Sequence, residues 1–280
     1  MPNNITNKIE FHGDQDNINQ ILKLIRGARD CIDFNKIIPM PESLMLPSGG
    51  DQDAAIQYAL SKMSHSEHIR IKDVFVKTPS SFYGNYYNKI FACHPFGVPE
   101  AKVKEMMSLF EQKLKDRVKD VFDSTDYEGL GIKNFEDLGN AYINNIINYG
   151  HVDWYDWSIA NWGSKWNAYS SYLDEENNAI EFDTAWGCPF PVLDKLAKLC
   201  YEHNVWFTGK WADEDIGHNV GVFESSCDGD EYWFTYDYVE NNSNEAFDIY
   251  TELKGESDCL SKDADGTWIR HGCENCPNPC

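Results

Sequence analysis

Apolar positions along this chain recur with two periods, and the switches between them mark out its elements. Ile5, Ile9 and Phe11, set against Lys8 and Glu10, alternate as a half-buried strand does. Gly13 and Asp14 supply a turn. Asp16 is the expected cap of a helix whose apolar residues Ile18, Ile21, Leu22, Leu24 and Ile25 keep three-and-four spacing. Gly27 and Asp30 end that helix. Ile32, Phe34, Ile37 and Ile38 then read as a second short strand, stopped by Pro39-Met40-Pro41. The pattern predicts a β-α-β unit within about the first forty residues.

The same order returns late in the chain. Residues 179–184 alternate as a strand, with Ile180 and Phe182 between charged positions. Pro189 and Pro191 lead into Val192, Leu193, Leu196, Ala197, Leu199 and Cys200 at helical spacing. Residues 205–211 read as a strand, 217–223 as its return, and 232–236 as another. Two β-α-β halves in two layers predict an α+β protein with a ferredoxin-like sandwich, its core in residues 1–46 and 150–223.

Residues 47–149 are the expected insertion, mainly helical. Residues 54–63 read as helix, Ile69, Ile71, Val74 and Val76 alternate as a strand, and Tyr83, Tyr86, Tyr87 and Phe91 form an aromatic stretch. The longest helix predicted covers 99–122, with Val103, Met106, Met107, Phe110, Leu114, Val118 and Val121 on one stripe. Phe135, Leu138, Tyr142, Ile143, Ile146 and Ile147 mark one more. Residues 224–280 read as an acidic, cysteine-bearing C-terminal extension.

Charge changes this picture most. The 46 acidic residues outnumber the 24 basic ones, for a net charge of −22. Such a field repels nucleic acid and anionic membranes and favours basic partners or divalent cations. Between Trp211 and Asp265 stand 16 Asp or Glu against Lys254 and Lys262. That stretch is either a solvated acidic face or a surface shaped for a partner's basic groove. The aromatics interleaved with it (Tyr232, Trp233, Phe234, Tyr236, Tyr238) suit an interface. Glu224, Asp228, Asp230, Glu231, Tyr232, Trp233, Asp237 and Glu240 are the candidate partner-binding residues. No basic leader precedes an apolar run, and no stretch reaches the ~18 apolar residues of a membrane span. The expectation is a soluble, cytoplasmic protein.

The nine cysteines are an odd number, and five of them are scattered singly, as thiols in a reducing compartment are. Cys259, His271, Cys273, Cys276 and Cys280 are clustered. Cys273 and Cys276 form a C-x₂-C pair, and the others could complete a tetrahedral structural zinc site. A disulfide clamp and free thiols stay open beside zinc. Asp213-Glu214-Asp215 and Asp228-Gly229-Asp230 lack the alternating oxygen ligands and terminal glutamate of a calcium loop. No phosphate loop, dinucleotide fingerprint, nucleophile elbow or H-E-x-x-H motif occurs. Trp154, Trp157, Trp162, Trp166 and Trp186 fall close together, as a core or as a ring platform for a ligand.

Five blocks carry a resemblance: MPNNITNKIEFHGD, IDFNKIIPMPESL, NWGSKWNAY, IEFDTAWGCPFPVLDKLAK and KWADEDIGHNVGVFE. In that order they resemble the YubB-type ferredoxin-like domain family of phage and plasmid proteins, over about residues 1–45 and 150–225. The resemblance implies the ferredoxin-like fold and a mobile-element origin, and it brings no catalytic residues. Acidic phage proteins that bind a host protein, such as the Gabija anti-defence proteins, offer a functional parallel. The expectation is a non-enzymatic protein that binds a host defence or DNA-processing protein and blocks its basic nucleic-acid surface, without touching nucleic acid or membrane. Two alternatives stay open. One is an enzyme acting on a small ligand at the tryptophan-rich wall. The other is a homo-oligomeric assembly protein that uses the long helix and the terminal cysteines.

Overall fold

The computed structural model describes residues 3–49, 132–226 and 231–271, with Gln52, Ala55, Ile56, Ala59, Lys62 and Met63. The predicted strand around Ile69 and the helix 99–122 lie outside the described residues. The chain divides into two compact units, Met1–Pro39 with Ser158–Cys280, and Met40–Trp157. No described helix is long and apolar enough to cross a membrane.

In the first unit the strands are β1 (Asn4–Gly13), β2 (Tyr169–Asp174), β3 (Ala179–Ala185), β4 (Val205–Ala212), β5 (Gly221–Ser226) and β6 (Trp233–Tyr238). They form one antiparallel sheet of order β2-β3-β1-β4-β5-β6. Helix α1 (Gln15–Ile25) follows β1, and a single helical turn, α2 (Phe34–Ile37), follows α1. The second unit contains α3 (Phe135–Tyr149), and α4 (Trp154–Trp162) begins in it. Back in the first unit, α5 (Phe190–Tyr201) joins β3 to β4, and α6 (Asn244–Lys254) follows β6. A two-stranded ribbon, β7 (Leu260–Lys262) with β8 (Trp268–Arg270), comes last.

The run β1-α1-β2-β3-α5-β4, arranged as β2-β3-β1-β4, is the ferredoxin-like fold, extended on one side by β5 and β6. Its core lies on one sheet face. Ile5, Ile9, Phe11, Ile180, Phe182 and Phe207 are buried there, with Ile18, Ile21 and Ile25 of α1 and Val192, Leu193, Leu196 and Cys200 of α5. Each such side chain contributes ~1.5–3 kcal/mol on leaving water.

Two expectations are corrected. Residues 32–38 are not a strand. Asp33 accepts a hydrogen bond from the Asn35 N–H at 2.9 Å and caps α2, and Phe34, Ile37 and Ile38 stand at the i, i+3, i+4 spacing of a helix turn. The strand that closes the first β-α-β half is β2, which follows the second unit in the chain. The cap of α1 is Asp14, which accepts from the Asp16 N–H at 3.0 Å, with Asp16 already in the first turn.

The second unit is held by its own apolar contacts. Leu138, Tyr142, Ile143 and Ile146 of α3 are buried, as are Leu44, Leu46, Ala55, Ile56 and Ala59. Gly139 permits the close approach, since a Cβ there would meet the Ala55 carbonyl oxygen at 2.0 Å. The Tyr142 hydroxyl donates to the Pro47 carbonyl at 2.7 Å. Buried Asp153 accepts from the Tyr155 N–H at 2.9 Å at the start of α4, and from Gln52 Nε2 at 2.9 Å. Burial pushes its carboxyl up, against the pull of the bonds it accepts from Asp156, Ser48 and Tyr155.

Candidate functional site

Alternation along the strands turns Lys8, Glu10 and His12 of β1 to the sheet face opposite the core. Register then sets Lys210 beside Lys8, Thr208 beside Glu10 and Trp206 beside His12. Further out, Val222 follows Lys210 and Glu224 follows Thr208. Asp237 stands beside Val222, Thr235 beside Glu224 and Trp233 beside Ser226. On the other side, Glu181 of β3 pairs with Lys8 and Asp183 with Thr6. Neighbouring strands lie ~4.8 Å apart, so Glu10 and Glu224 are ~10 Å apart and Glu181 and Asp237 ~19 Å apart. Lys8, Glu10, Thr208, Lys210, Glu224 and Asp237 border a shallow depression of ≈ 210 Å³.

Helix α6 covers one end of this face. Ala212 and Val220 of the sheet side pack with Ala246, Ile249 and Leu253. Ser243 caps the helix, accepting from the Ala246 N–H at 3.1 Å. The helix brings Glu252 to the middle of the face, where Oε1 lies 3.2 Å from Lys8 Nζ and Oε2 lies 2.7 Å from Lys210 Nζ. Lys8 also meets Glu10 at 2.8 Å. Burial works to raise the Glu252 carboxyl, but the bonds and charges of Lys210 and Lys8 hold it below the ordinary value. Hydrogen bonding to Glu10 is the main cause that raises Lys8.

The face is therefore acidic even though two lysines stand at its centre. Both are clamped by glutamates, while Glu181, Asp183, Glu224 and Asp237 add negative charge. Burial raises the Glu181 carboxyl, with Lys8 opposing. At the α6 end, Lys254 donates to the Asn4 carbonyl at 2.8 Å. Burial lowers Lys254, while Asp183, Glu214, Asp213 and Glu181 act to raise it. Two tryptophans stand on the open face, Trp206 and Trp233, 38% and 43% exposed. His12 lies by Trp206, ring centroids 5.8 Å apart, and its Nε2 is 2.9 Å from Thr208 Oγ1.

Of the partner-binding candidates read from the sequence, Glu224, Trp233 and Asp237 share this face. Glu231 and Tyr232 precede β6, where Tyr232 lies 6.5 Å from the Tyr201 ring, and Glu240 follows it. Asp228 and Asp230 lie outside the described residues. Phe234, Tyr236 and Tyr238 turn to the other face. Tyr236 stacks on Phe190 with centroids 3.9 Å apart, and Tyr238 meets Trp211 edge-on at 5.2 Å. Sequence reasoning missed Lys8, Glu10, Thr208, Lys210 and Glu181. The same alternation that identified their strands could have found them. Glu252 was signalled by the apolar spacing of Ala246, Ile249 and Leu253.

The cysteine cluster is described only in part. Cys259 and His271 are brought together at the base of the β7–β8 ribbon, where the His271 N–H donates to the Cys259 carbonyl at 2.8 Å. His271 Nε2 lies 2.8 Å from Ser261 Oγ. Cys273, Cys276 and Cys280 lie outside the described residues. Among the described residues, no three or more His, Cys, Asp or Glu side chains are grouped to hold a metal ion. Trp157 and Trp162 are buried, while Trp166 and Trp186 are exposed. Trp154 and Trp157 belong to the second unit and the others to the first.

Comparison with known proteins bears on the fold. A family model described as the ferredoxin-like domain in Api92-like protein matches residues 165–254. That match runs through β5, β6 and α6, so the acidic face lies largely inside the matched domain. A search of curated proteins finds no match. Among solved structures, the crystal structure of a protein api92 from Yersinia pseudotuberculosis aligns with a TM-score of 0.36 and 11% identity, covering 86% of this chain and 99% of that one.

Proposed function

We propose that this chain is a non-enzymatic interaction protein of a phage or plasmid, which binds a host defence or DNA-processing protein and blocks its nucleic-acid surface. One observation carries the reading, the acidic open sheet face in which both central lysines are locked to glutamates. Nucleic-acid platforms built on a sheet of this kind stack bases on exposed aromatics and neutralise phosphates with free cations. This face has the aromatics, Trp206 and Trp233, and the opposite charge. Its carboxylates, spread over ~10–19 Å, match the scale of a DNA major groove, ~12 Å wide. A partner groove that holds a duplex backbone would meet similar charge at similar spacing.

The test uses the full chain as bait in host-cell extract, beside the double variant Glu224→Lys/Asp237→Lys. Proteins retained by the wild type should be nucleic-acid-binding, should be released by added duplex DNA, and should be lost with the double variant. Retention that ignores both the competitor and the charge reversal refutes the reading.

A further inference from the structure

The two edges of the six-stranded sheet differ. β2 carries a register shift between Tyr169 and Tyr172, with Ser170 at φ 52°, an irregularity that bends an edge away from further pairing. β6 pairs with β5 without interruption, from Ser226 opposite Trp233 to Gly221 opposite Tyr238. It contains no proline and no lysine, two residues that commonly blunt a free edge.

The hydrogen-bond phase of β6 follows from one contact. The Val239 N–H donates to the Val220 carbonyl at 3.0 Å, one position beyond the Gly221–Tyr238 pair. Hydrogen-bonded and non-bonded pairs alternate in an antiparallel ladder. Trp233, Thr235 and Asp237 therefore turn their N–H and C=O groups to β5. Phe234, Tyr236 and Tyr238 turn theirs outward, and none of these groups bonds a described residue. Their side chains hold the strand in place from the core-side face. Tyr236 lies on Phe190, Tyr238 on Trp211, and Phe234 6.2 Å from Phe207. The edge is extended, anchored and, among the described residues, unpaired.

We infer that this edge accepts an extended basic segment of the partner protein as a seventh strand, by β-augmentation. The inference rests on the function proposed above and names how the partner is held. The occupant's chemistry follows from the two sides of β6. One side of a docked strand would run beside Trp233, Thr235 and Asp237 at the rim of the acidic face, between Glu231 and Glu240. Lysines or arginines suit that side. The other side would run beside Phe234, Tyr236 and Tyr238 and suits apolar residues. A second copy of this chain fits poorly. Pairing the same edge with itself, antiparallel about Tyr236, would bring Glu231 near the copy's Glu240 and Asp237 near the copy's Asp237 in a chain of net charge −22, and like charges close to each other across strands destabilise the pair.

The probe is a synthetic peptide of about eight residues, long enough for one strand, with lysine and valine alternating. It is compared with the same peptide N-methylated at every amide, so that neither of its edges can donate to a strand. Amide hydrogen exchange is followed by NMR on the full chain. The plain peptide should slow exchange at Phe234, Tyr236 and Tyr238 about tenfold or more, and the methylated peptide, with equal charge, should not. Tyr236→Pro should abolish the protection, because proline removes an outward N–H that the β5 ladder does not use. Tyr236→Ala, which keeps that N–H, should retain it. No slowing, equal slowing by both peptides, or slowing that grows with protein concentration alone overturns the inference. The extract experiment separates the two readings. Partners lost on charge reversal but kept by Tyr236→Pro leave the face reading standing and refute the edge. Partners kept on charge reversal and lost with Tyr236→Pro refute the face reading.

Discussion

Replacing Glu252 with glutamine tests whether α6 keeps the sheet face acidic. The change is nearly isosteric and removes one charge that serves two lysines, at 3.2 Å and 2.7 Å. Side-chain exposures of 25%, 39% and 37% for Lys8, Lys210 and Glu252 place the pairs in a screened setting. Exposed pairs contribute ~0.2–1 kcal/mol each, so the discounted loss for both is about 1 kcal/mol at low salt. In about 1 M salt, where the screening length is ~3 Å, at least half of that gap should vanish. The pH dependence has a definite sign. Glu252 is held below its ordinary value in the folded state, so its contribution is present above the unfolded value and is lost as the pH falls through the folded one. Lys8 is held above its ordinary value, so its contribution is lost only as the pH rises through the raised one. Urea unfolding should therefore show a stable gap between wild type and Glu252→Gln at neutral pH. The gap should close in acid, below about pH 4. Lys210, released onto the face, and Lys8, left with Glu10 alone, should slow association with a basic partner about three- to tenfold. A gap of zero at neutral pH and low salt, or one that persists unchanged in acid, refutes the clamp.

Three further outcomes follow from packing and burial. Gly221→Ala should cost about 3 kcal/mol or more in urea unfolding, because a Cβ there would meet the Trp211 ring at 2.1 Å and the Asp237 carbonyl oxygen at 2.5 Å. Asp153 is held above its ordinary value by burial, so it costs the fold stability as the pH rises from the unfolded carboxyl value through the folded one. Asp153→Asn should match or exceed the wild type at neutral pH, while Asp153→Ala should lose ~1–2 kcal/mol with the helix cap. Burial pushes the Cys188 and Cys200 thiols up, so alkylation followed by peptide mass mapping should label Cys31 in the native protein and reach those two only on unfolding.

The sheet was legible where one strand face is buried and the other wet. Ile9 and Phe11 between Lys8 and Glu10, or Ile180 and Phe182 between Glu181 and Asp183, announce both strand and orientation. β2 was not, because an edge strand with a bulge buries little and its sequence, Tyr169 to Asp174, is mostly polar. The segment from Ile32 to Ile38 was misread because four apolar residues in seven fit either period. Only the Asp33 cap and the i, i+3, i+4 spacing decide for a helix turn. α6 was hidden by its acidic surroundings, although Ser243 and the apolar spacing from Ala246 to Leu253 marked it. The site was legible in composition and not in geometry. Glu224, Trp233 and Asp237 were identified from local charge, but Lys8 and Lys210 come from strands far away in sequence, and only register brings them beside Glu252.

That geometry changes what the charge means. A stretch with 16 acids and two lysines between Trp211 and Asp265 could have been an acidic coat with no organisation. Instead β5, β6 and α6 place part of it on a sheet whose other rows come from β1 and β4, and they set Glu252 between the only two lysines of those rows. With Lys8 and Lys210 free, exposed Trp206 and Trp233 beside two cations would suit stacked bases. With both lysines clamped, the same rings flank carboxylates, and the surface suits arginine and lysine side chains, whose charge the carboxylates meet and whose stems the rings can cover. Under the proposed function, α6 therefore strengthens the face's preference for a basic partner. A fold of this order lacking α6 would keep the sheet, the tryptophans and the Lys8–Glu10 pair, lose the Glu252 clamp, and should bind a basic partner less tightly.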